Sequence, residues 1–279
     1  MKENGKGQYA QVNGLTMYYE IHGTGQPLIL LPGGFMTIEA MGTIVPSLAR
    51  TRQVIAVELQ GHGHTADSDR PLSYELMADD IAALIEQLGF EQADLFGYSL
   101  GGGVALQTAI RHPEVVRKLA LASTPFRGEG WYPEVRAGMR AISVEGFAGT
   151  PIYEEYLRVS PKPEAWPTVI AKMRQLVPSD YDWTEGVAGL KMPVLILVGD
   201  ADSIFPTHFV EMFGLLGGGR GDGNITGMSQ SALAVLPSTT HVAWAPPFHG
   251  MMNRTDLLLP MLTEFLDASV PEQEAKQDV

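Results

Sequence analysis

A serine hydroxyl attacks a carbonyl near neutral pH only when a base lies within hydrogen-bond reach and an acceptor holds that base in the right tautomer. This chain carries residues of those three types, each just beyond an apolar run of strand length. Ser99 ends the run Ala93–Tyr98 and sits in "GYSLGGG"; Asp200 and Asp202 fall in "LVGDADSIFP" after a second run; His241 falls in "LPSTTHVAW" after a third. Gly97 and Gly101 flank the serine, where any Cβ would collide with adjoining backbone if the chain turned sharply there. A G-x-S-x-G turn between a strand and a helix holds a serine in strained geometry with its oxygen exposed. A glycine-rich turn with an N-capping serine is the alternative reading of the same letters.

The surrounding pattern supplies elements to position these groups. "QYAQVNGLTMYYEIHG" reads as two alternating segments around Asn13-Gly14, a hairpin signal. "PLILLPGG", "QVIAVELQG", "KLALAS", "PVLILVGD" and "SALAVLPS" read as further strands. Helical spacing over Tyr74–Leu88 with Gly89 as a stop, the apolar run after Ser99, and "LLLPMLTEFLDA" read as helices. The alternation predicts an α/β fold: a mostly parallel sheet covered by helices on both faces, with an antiparallel hairpin at one edge. Ligands of such sheets bind beyond the carboxyl ends of the strands, so strand-end residues share one side. From Thr124 to Lys191 no buried strand is evident, while Trp131, Tyr132, Phe147, Tyr153, Tyr156, Trp166, Tyr181 and Trp183 fall there. That segment is expected to be a helical insertion lying over the strand ends. "GLLGGGRGDGNITGMSQ" reads as a mobile loop whose Arg-Gly-Asp is a chance triplet.

Composition narrows the function classes. The 279 residues suit one large α/β domain with an insertion, and 45% hydrophobic with 18% charged residues is ordinary for a globular chain. The formal net charge of −13 opposes phosphate, and no basic stripe offsets it, so no nucleic-acid partner is expected. Part of that acidity lies in "PEQEAKQDV", expected to be a frayed, solvated end. With no cysteine, disulfides, thiolate metal sites and a cysteine nucleophile are excluded. No secretory signal, membrane span, metal cluster or phosphate-binding loop is evident, so the expectation is a cytoplasmic protein without cofactor, metal or membrane partner.

Taken together, Gly97-Tyr98-Ser99-Leu100-Gly101-Gly102, Gln60-Gly61-His62-Gly63-His64-Thr65, Gly199-Asp200-Ala201-Asp202 and His241 resemble the α/β-hydrolase superfamily, within its esterase, haloperoxidase-like and C–C hydrolase group. The resemblance spans about Gln8 to Leu266. It implies a core formed by 1–123 and 192–279, with a helical cap over 124–191. It implies Ser99, Asp202 and His241 as catalytic residues, the family's Gly-x-x-Asp pattern selecting Asp202 while Asp200 caps the turn. The oxyanion donors would be the backbone N–H groups of Leu100 and Gly34, with Phe35 as the alternative to Gly34. Pro32 stands where the family usually has histidine, and Glu58 and Gln60 where it often has aspartate and arginine. Of the other histidines, His208 lies inside the helix after the acid, His249 competes with His241 only if the last strand is misplaced, His62 and His64 could shape the pocket, and His22 and His112 read as surface or capping residues.

The function so implied is a cofactor-free serine hydrolase, a carboxylesterase or lactonase acting on apolar small molecules through an acyl-enzyme. C–C bond hydrolysis and perhydrolysis use the same triad, and a non-catalytic receptor is the remaining alternative. Phe35, Tyr98, Trp131, Tyr132 and Trp183 are the expected substrate-binding side chains, since concave sites are lined by such groups. The oligomeric state is left open.

Overall fold

The computed structural model describes residues 5–243 and 247–270. The acidic tail read as a frayed end, residues 271–279, lies outside the described residues. Strands β1 (Gly7–Val12) and β2 (Leu15–His22) form the expected hairpin, with Asn13 and Gly14 at φ 46° and 79°, the paired positive dihedrals that a two-residue turn needs. The remaining strands are β3 (Gln26–Leu31), β4 (Arg52–Val57), β5 (Ala93–Tyr98), β6 (Val116–Ala122), β7 (Val194–Ala201), β8 (Ala232–Thr240) and a two-residue β9 (His249–Gly250). Among the described residues they make a nine-stranded sheet ordered β1-β2-β4-β3-β5-β6-β7-β8-β9. The β1–β2 and β2–β4 pairs are antiparallel, and every other pair is parallel. The carboxyl ends of β3 to β8 therefore share one side.

Helices α1 (Ile44–Leu48), α2 (Tyr74–Gln87) and α3 (Leu100–Arg111) precede β6. The next five fall between β6 and β7: α4 (Pro133–Ala141), α5 (Val144–Phe147), α6 (Pro151–Val159), α7 (Trp166–Leu176) and α8 (Thr184–Gly189). Helices α9 (Pro206–Leu215), α10 (Gly223–Thr226) and α11 (Thr255–Asp267) complete the chain. In α2 the buried Met77, Ile81, Leu84 and Ile85 recur at helical spacing, Ser73 Oγ accepts the Leu76 N–H, and Gly89 at φ 81° ends the segment. The stretch read as a loop from Gly214 opens inside α9 and contains the single turn of α10. Its leading residues pack because Met212 and Phe209 anchor the helix to the core.

The parallel strands are buried on both sides. Along β5, Leu95 belongs to the core under α2 and α3, whereas Phe96 belongs to the core under α1 and α11. At the amino ends of the strands, the ammonium of buried Lys118 donates to the carbonyl oxygens of Phe265, Leu266 and Ala268, satisfying the end of α11. Arg52 pairs there with Asp94 and Asp267. These charges brace the end of the sheet away from Ser99.

Between β5 and α3 the chain reverses on one residue, Ser99, at φ 54° and ψ −116°. The helix then crosses so close that a Cβ on Gly97 would stand 2.4 Å from the Gly101 oxygen, and one on Gly101 would stand 2.3 Å from the carbonyl oxygens of Leu31 and Pro32. These are backbone atoms and cannot rotate away. Gly101→Ala is expected to cost about 1–3 kcal/mol of stability, read from the urea midpoint, because the elbow must shift as a body. Gly214→Ala, on an exposed turn of α9 with nothing within 4 Å of the added methyl, is expected to be neutral or to stabilise by up to about 1 kcal/mol.

Candidate active site

Ser99, Asp202 and His241 each follow directly on a parallel strand, β5, β7 and β8 respectively. The sheet brings them into a line. Ser99 Oγ lies 2.9 Å from His241 Nε2, and His241 Nδ1 lies 2.9 Å from Asp202 Oδ1. A carboxylate only accepts, so Nδ1 carries the proton and Nε2 is left with a lone pair facing the serine hydroxyl. Burial works to raise the Asp202 pKa, but the His241 charge and hydrogen bonds from His241, Ser123 and Gly199 outweigh it and hold the carboxyl below its usual range. Asp202 therefore remains an anion beside the imidazole.

Asp200 does something else. It is exposed, its carboxylate accepts the Thr239 N–H at 3.0 Å, and it ties β7 to β8 without reaching His241.

Two further contacts hold the line in place, and neither was read from the sequence. Ser123, the residue after β6, is buried at φ 52° and donates its hydroxyl to Asp202 Oδ2 at 2.5 Å. Tyr98 sends its hydroxyl to the His241 carbonyl oxygen at 2.7 Å, and burial raises its pKa above the usual phenol range, so it stays a donor. Its ring also lies 5.4 Å from the imidazole. For Ser123 the available signal was its place at a strand end, the same rule that pointed to Ser99, to Asp200 and Asp202, and to His241. For Tyr98, a contact across 143 positions leaves no local trace.

Leu100 opens α3, so its N–H has no partner within the helix. Gly34 lies against it: a Cβ built on Gly34 would be 3.8 Å from the Leu100 Cβ. Phe35, beside it, is held at φ 62°. The loop carrying both is tied to β4 by Glu58, whose buried carboxylate accepts the Ile38 N–H at 2.9 Å. Glu58 also accepts the His64 N–H and pairs with His64 Nδ1, while Gln60 bonds Asp67 and Arg70. Glu58 and Gln60 thus each anchor a separate set of hydrogen bonds.

Above Ser99 opens a cavity of about 610 Å³. Gly34, Phe35, Met36 and Trp131 reach it from loops, Tyr98 from the end of β5 and Leu100 from the start of α3. From the inserted helices come Val135 and Met139 of α4, Phe147 of α5, Ile152 of α6 and Met173 of α7. Trp131 stands edge-on to His241 at 5.3 Å.

Tyr132 and Trp183 do not line this cavity, contrary to expectation. Tyr132 precedes α4 and turns to Phe205, with ring centroids 4.1 Å apart. Trp183 stacks on Tyr181 at 4.3 Å and meets the far side of Tyr74 at 5.1 Å, so Tyr74 takes the cavity position. Phe147 and Tyr74 are aromatics that sequence reasoning did not place there.

The other histidines sit elsewhere. His62 and His64 do not line the cavity: His62 is buried with Nδ1 on the Gln60 oxygen, and His64 stacks on Tyr18 at 4.3 Å. His208 accepts the Phe126 N–H, and burial pushes its pKa down to about 4. His22 pairs with Glu20, and His112 caps α3 beside Asp79. His249 lies in β9, where its backbone pairs with β8. Among the described residues no cluster of His, Asp and Glu has the makings of a metal site, and no helix is long and apolar enough to cross a membrane.

Residues 26–187 match a family model described as alpha/beta hydrolase fold. The AB hydrolase superfamily protein YisY of Bacillus subtilis is 30% identical over 224 residues, covering 71% of this chain and 82% of the relative. The 2-hydroxymuconate semialdehyde hydrolase of Pseudomonas sp. strain CF600 is 28% identical over 206 residues, covering 66% and 73%. The crystal structure of the enol-lactonase from Burkholderia xenovorans LB400 superimposes with a TM-score of 0.67 at 19% identity, over 94% of this chain and all of that one, a likeness of fold.

The hydrogen-bonded line has a spectroscopic consequence. A proton held between His241 Nδ1 and Asp202 should give a far-downfield imidazole resonance in the proton NMR spectrum of the wild type. Asp202→Asn is expected to abolish or shift it and Asp200→Asn to leave it in place; the reverse pattern would make Asp200 the partner.

Proposed function

The chain belongs to the alpha/beta hydrolase fold family, and on that premise we propose that it is a cofactor-free serine hydrolase that cleaves carboxylic esters or lactones of apolar small molecules through an acyl-enzyme. The observation that carries this reading is the continuous chain Ser99 Oγ, His241 Nε2, His241 Nδ1 and Asp202 Oδ1, with both links at 2.9 Å, opening into the apolar cavity.

In this mechanism Ser99 Oγ attacks the ester carbonyl while His241 Nε2 takes its proton. Asp202 keeps the imidazole in the Nδ1–H tautomer and stabilises the imidazolium that forms. The N–H groups of Leu100 and Gly34 receive the oxyanion, each donor typically worth about 3 kcal/mol in the transition state. His241 returns the proton to the leaving alcohol. Water then attacks the acyl carbonyl by the same route and frees Ser99. Ser123 and Tyr98 act through Asp202 and His241 as positioning residues. Residues 124–191 serve as a cap on the core formed by 1–123 and 192–279, supplying much of the cavity wall.

A second reading, hydrolysis of a carbon–carbon bond with the same three residues, is favoured by the similarity to a hydrolase named for a semialdehyde rather than an ester. A panel of acyl esters, lactones and diketones separates the two.

Ser99→Ala is expected to lower ester turnover by about four to six orders of magnitude with an unchanged unfolding midpoint. A serine-reactive phosphonate should label Ser99 in the wild type, seen by peptide mass spectrometry. Near-wild-type turnover by Ser99→Ala would rule the mechanism out. In the same assays Phe147→Ala should reorder esters by chain length, whereas Tyr132→Ala should lower thermal stability and leave the order intact.

A further inference from the structure

The cavity over Ser99 is large, and its described lining contains no Asp, Glu, Lys or Arg. Its polar groups are few and mostly engaged. Ser99 and His241 bond each other, and His241 is further held by Asp202. The Tyr98 hydroxyl is committed to the His241 carbonyl oxygen. Tyr74, whose phenol burial keeps well above its usual range, Ser203 and Trp131, whose indole N–H is itself buried, complete the set. Residues 244–246, which follow the lining residue Ala243 in the chain, are Trp, Ala and Pro and bring no ionisable side chain. Met36, Met139 and Met173 are unbranched and adapt to chains of varied shape.

A second groove of about 310 Å³ adjoins this cavity, with Phe35, Met36 and Ile152 on the walls of both. Glu39 and Glu155 stand on its walls. Arg158 bonds both, leaving one cation between two carboxylates. An anion approaching from this side meets net negative charge, and the cavity wall beyond offers no compensating Lys or Arg.

We propose, on the reading that Ser99 is the nucleophile of an ester hydrolase, that this site takes esters uncharged on both sides of the scissile bond. An apolar chain extends from Ser99 past Phe35, Met36 and Ile152 into the outer groove, and a carboxylate on either side of the ester is rejected. The cause is desolvation. A carboxylate buried without a cation or donors loses its hydration uncompensated, a penalty on the order of a hundred-fold or more. Each buried methylene contributes about a four-fold gain until the chain reaches solvent.

The test uses matched pairs. On the acyl side, p-nitrophenyl hexanoate is compared with the p-nitrophenyl monoester of adipic acid. On the alcohol side, phenyl butanoate is compared with 4-carboxyphenyl butanoate. The wild type should favour the neutral member of each pair by about a hundred-fold in kcat/KM. Along p-nitrophenyl acetate, butanoate, hexanoate and octanoate, kcat/KM should climb by about four-fold per methylene before levelling off. Met139→Lys places a cation in the cavity and should narrow the acyl-side ratio at least ten-fold. Ile152→Arg does the same at the mouth if the first variant does not fold. Equal or faster Ser99-dependent turnover of a carboxylate-bearing member would overturn the inference while leaving the nucleophile intact. Turnover that persists in Ser99→Ala would instead overturn the reading beneath it.

Discussion

The backbone of Ser99 stands at φ 54° and ψ −116°, a region where a side chain costs of order 1–3 kcal/mol and which the residue keeps only because its surroundings enforce it. Three features do so. β5 is hydrogen-bonded on both sides, to β3 and β6, so the strand cannot slide. The Ser99 N–H donates to the Ala122 oxygen at 2.9 Å, fixing the turn itself. The start of α3 presses on Leu31, Pro32 and Gly97 at distances that leave room for glycine alone. Released from any of these, the hydroxyl would relax away from His241 and the N–H of Leu100 would swing with it. The proposed nucleophile and oxyanion donor are thus set by one constraint.

Opposite the elbow, two loops must deliver an imidazole and a carboxylate to match it. Each is held by a contact outside the line of three. Ser123, itself in left-handed backbone at the end of β6, clamps the free oxygen of Asp202. Tyr98, the neighbour of Ser99, clamps the backbone of His241. The residue beside Ser99 therefore holds His241, and the residue after β6 holds Asp202. All four positions sit at the carboxyl ends of adjacent parallel strands, β5 to β8, so sheet register carries the geometry from one to the next.

The sheet was legible because fully buried parallel strands are near-continuous apolar runs, and "PLILL", "VIAV", "LALA" and "VLILV" are such runs. The Asn13-Gly14 turn and the Ser73 and Gly89 boundaries of α2 were legible for local reasons of dihedral and capping. Ser99, the pair Asp200 and Asp202, and His241 were legible as strand-end residues, the family resemblance selected Asp202, and the structure brings Ser99, Asp202 and His241 together. What the sequence could not reveal lies in long-range packing. Among the aromatics of 124–191, whether a ring faces the cavity depends on which partner fills the other side. Tyr132 meets Phe205 and Trp183 meets Tyr74, residues distant in the chain. The methionines at 36, 139 and 173 carry no local sign of a shared wall, yet all three line the cavity. β9 is two residues long and, among the described residues, pairs with β8, too short for any periodic signal.

In the proposed mechanism the carbonyl carbon bonds to Ser99 Oγ during turnover. Rapid mixing with a p-nitrophenyl ester, acid quench within the first turnover and peptide mass spectrometry measure that bond directly. The account predicts a burst of p-nitrophenol approaching one equivalent and an acyl adduct on the peptide containing Ser99, both absent in Ser99→Ala. Turnover with neither burst nor adduct, or an adduct on a different residue, would contradict it.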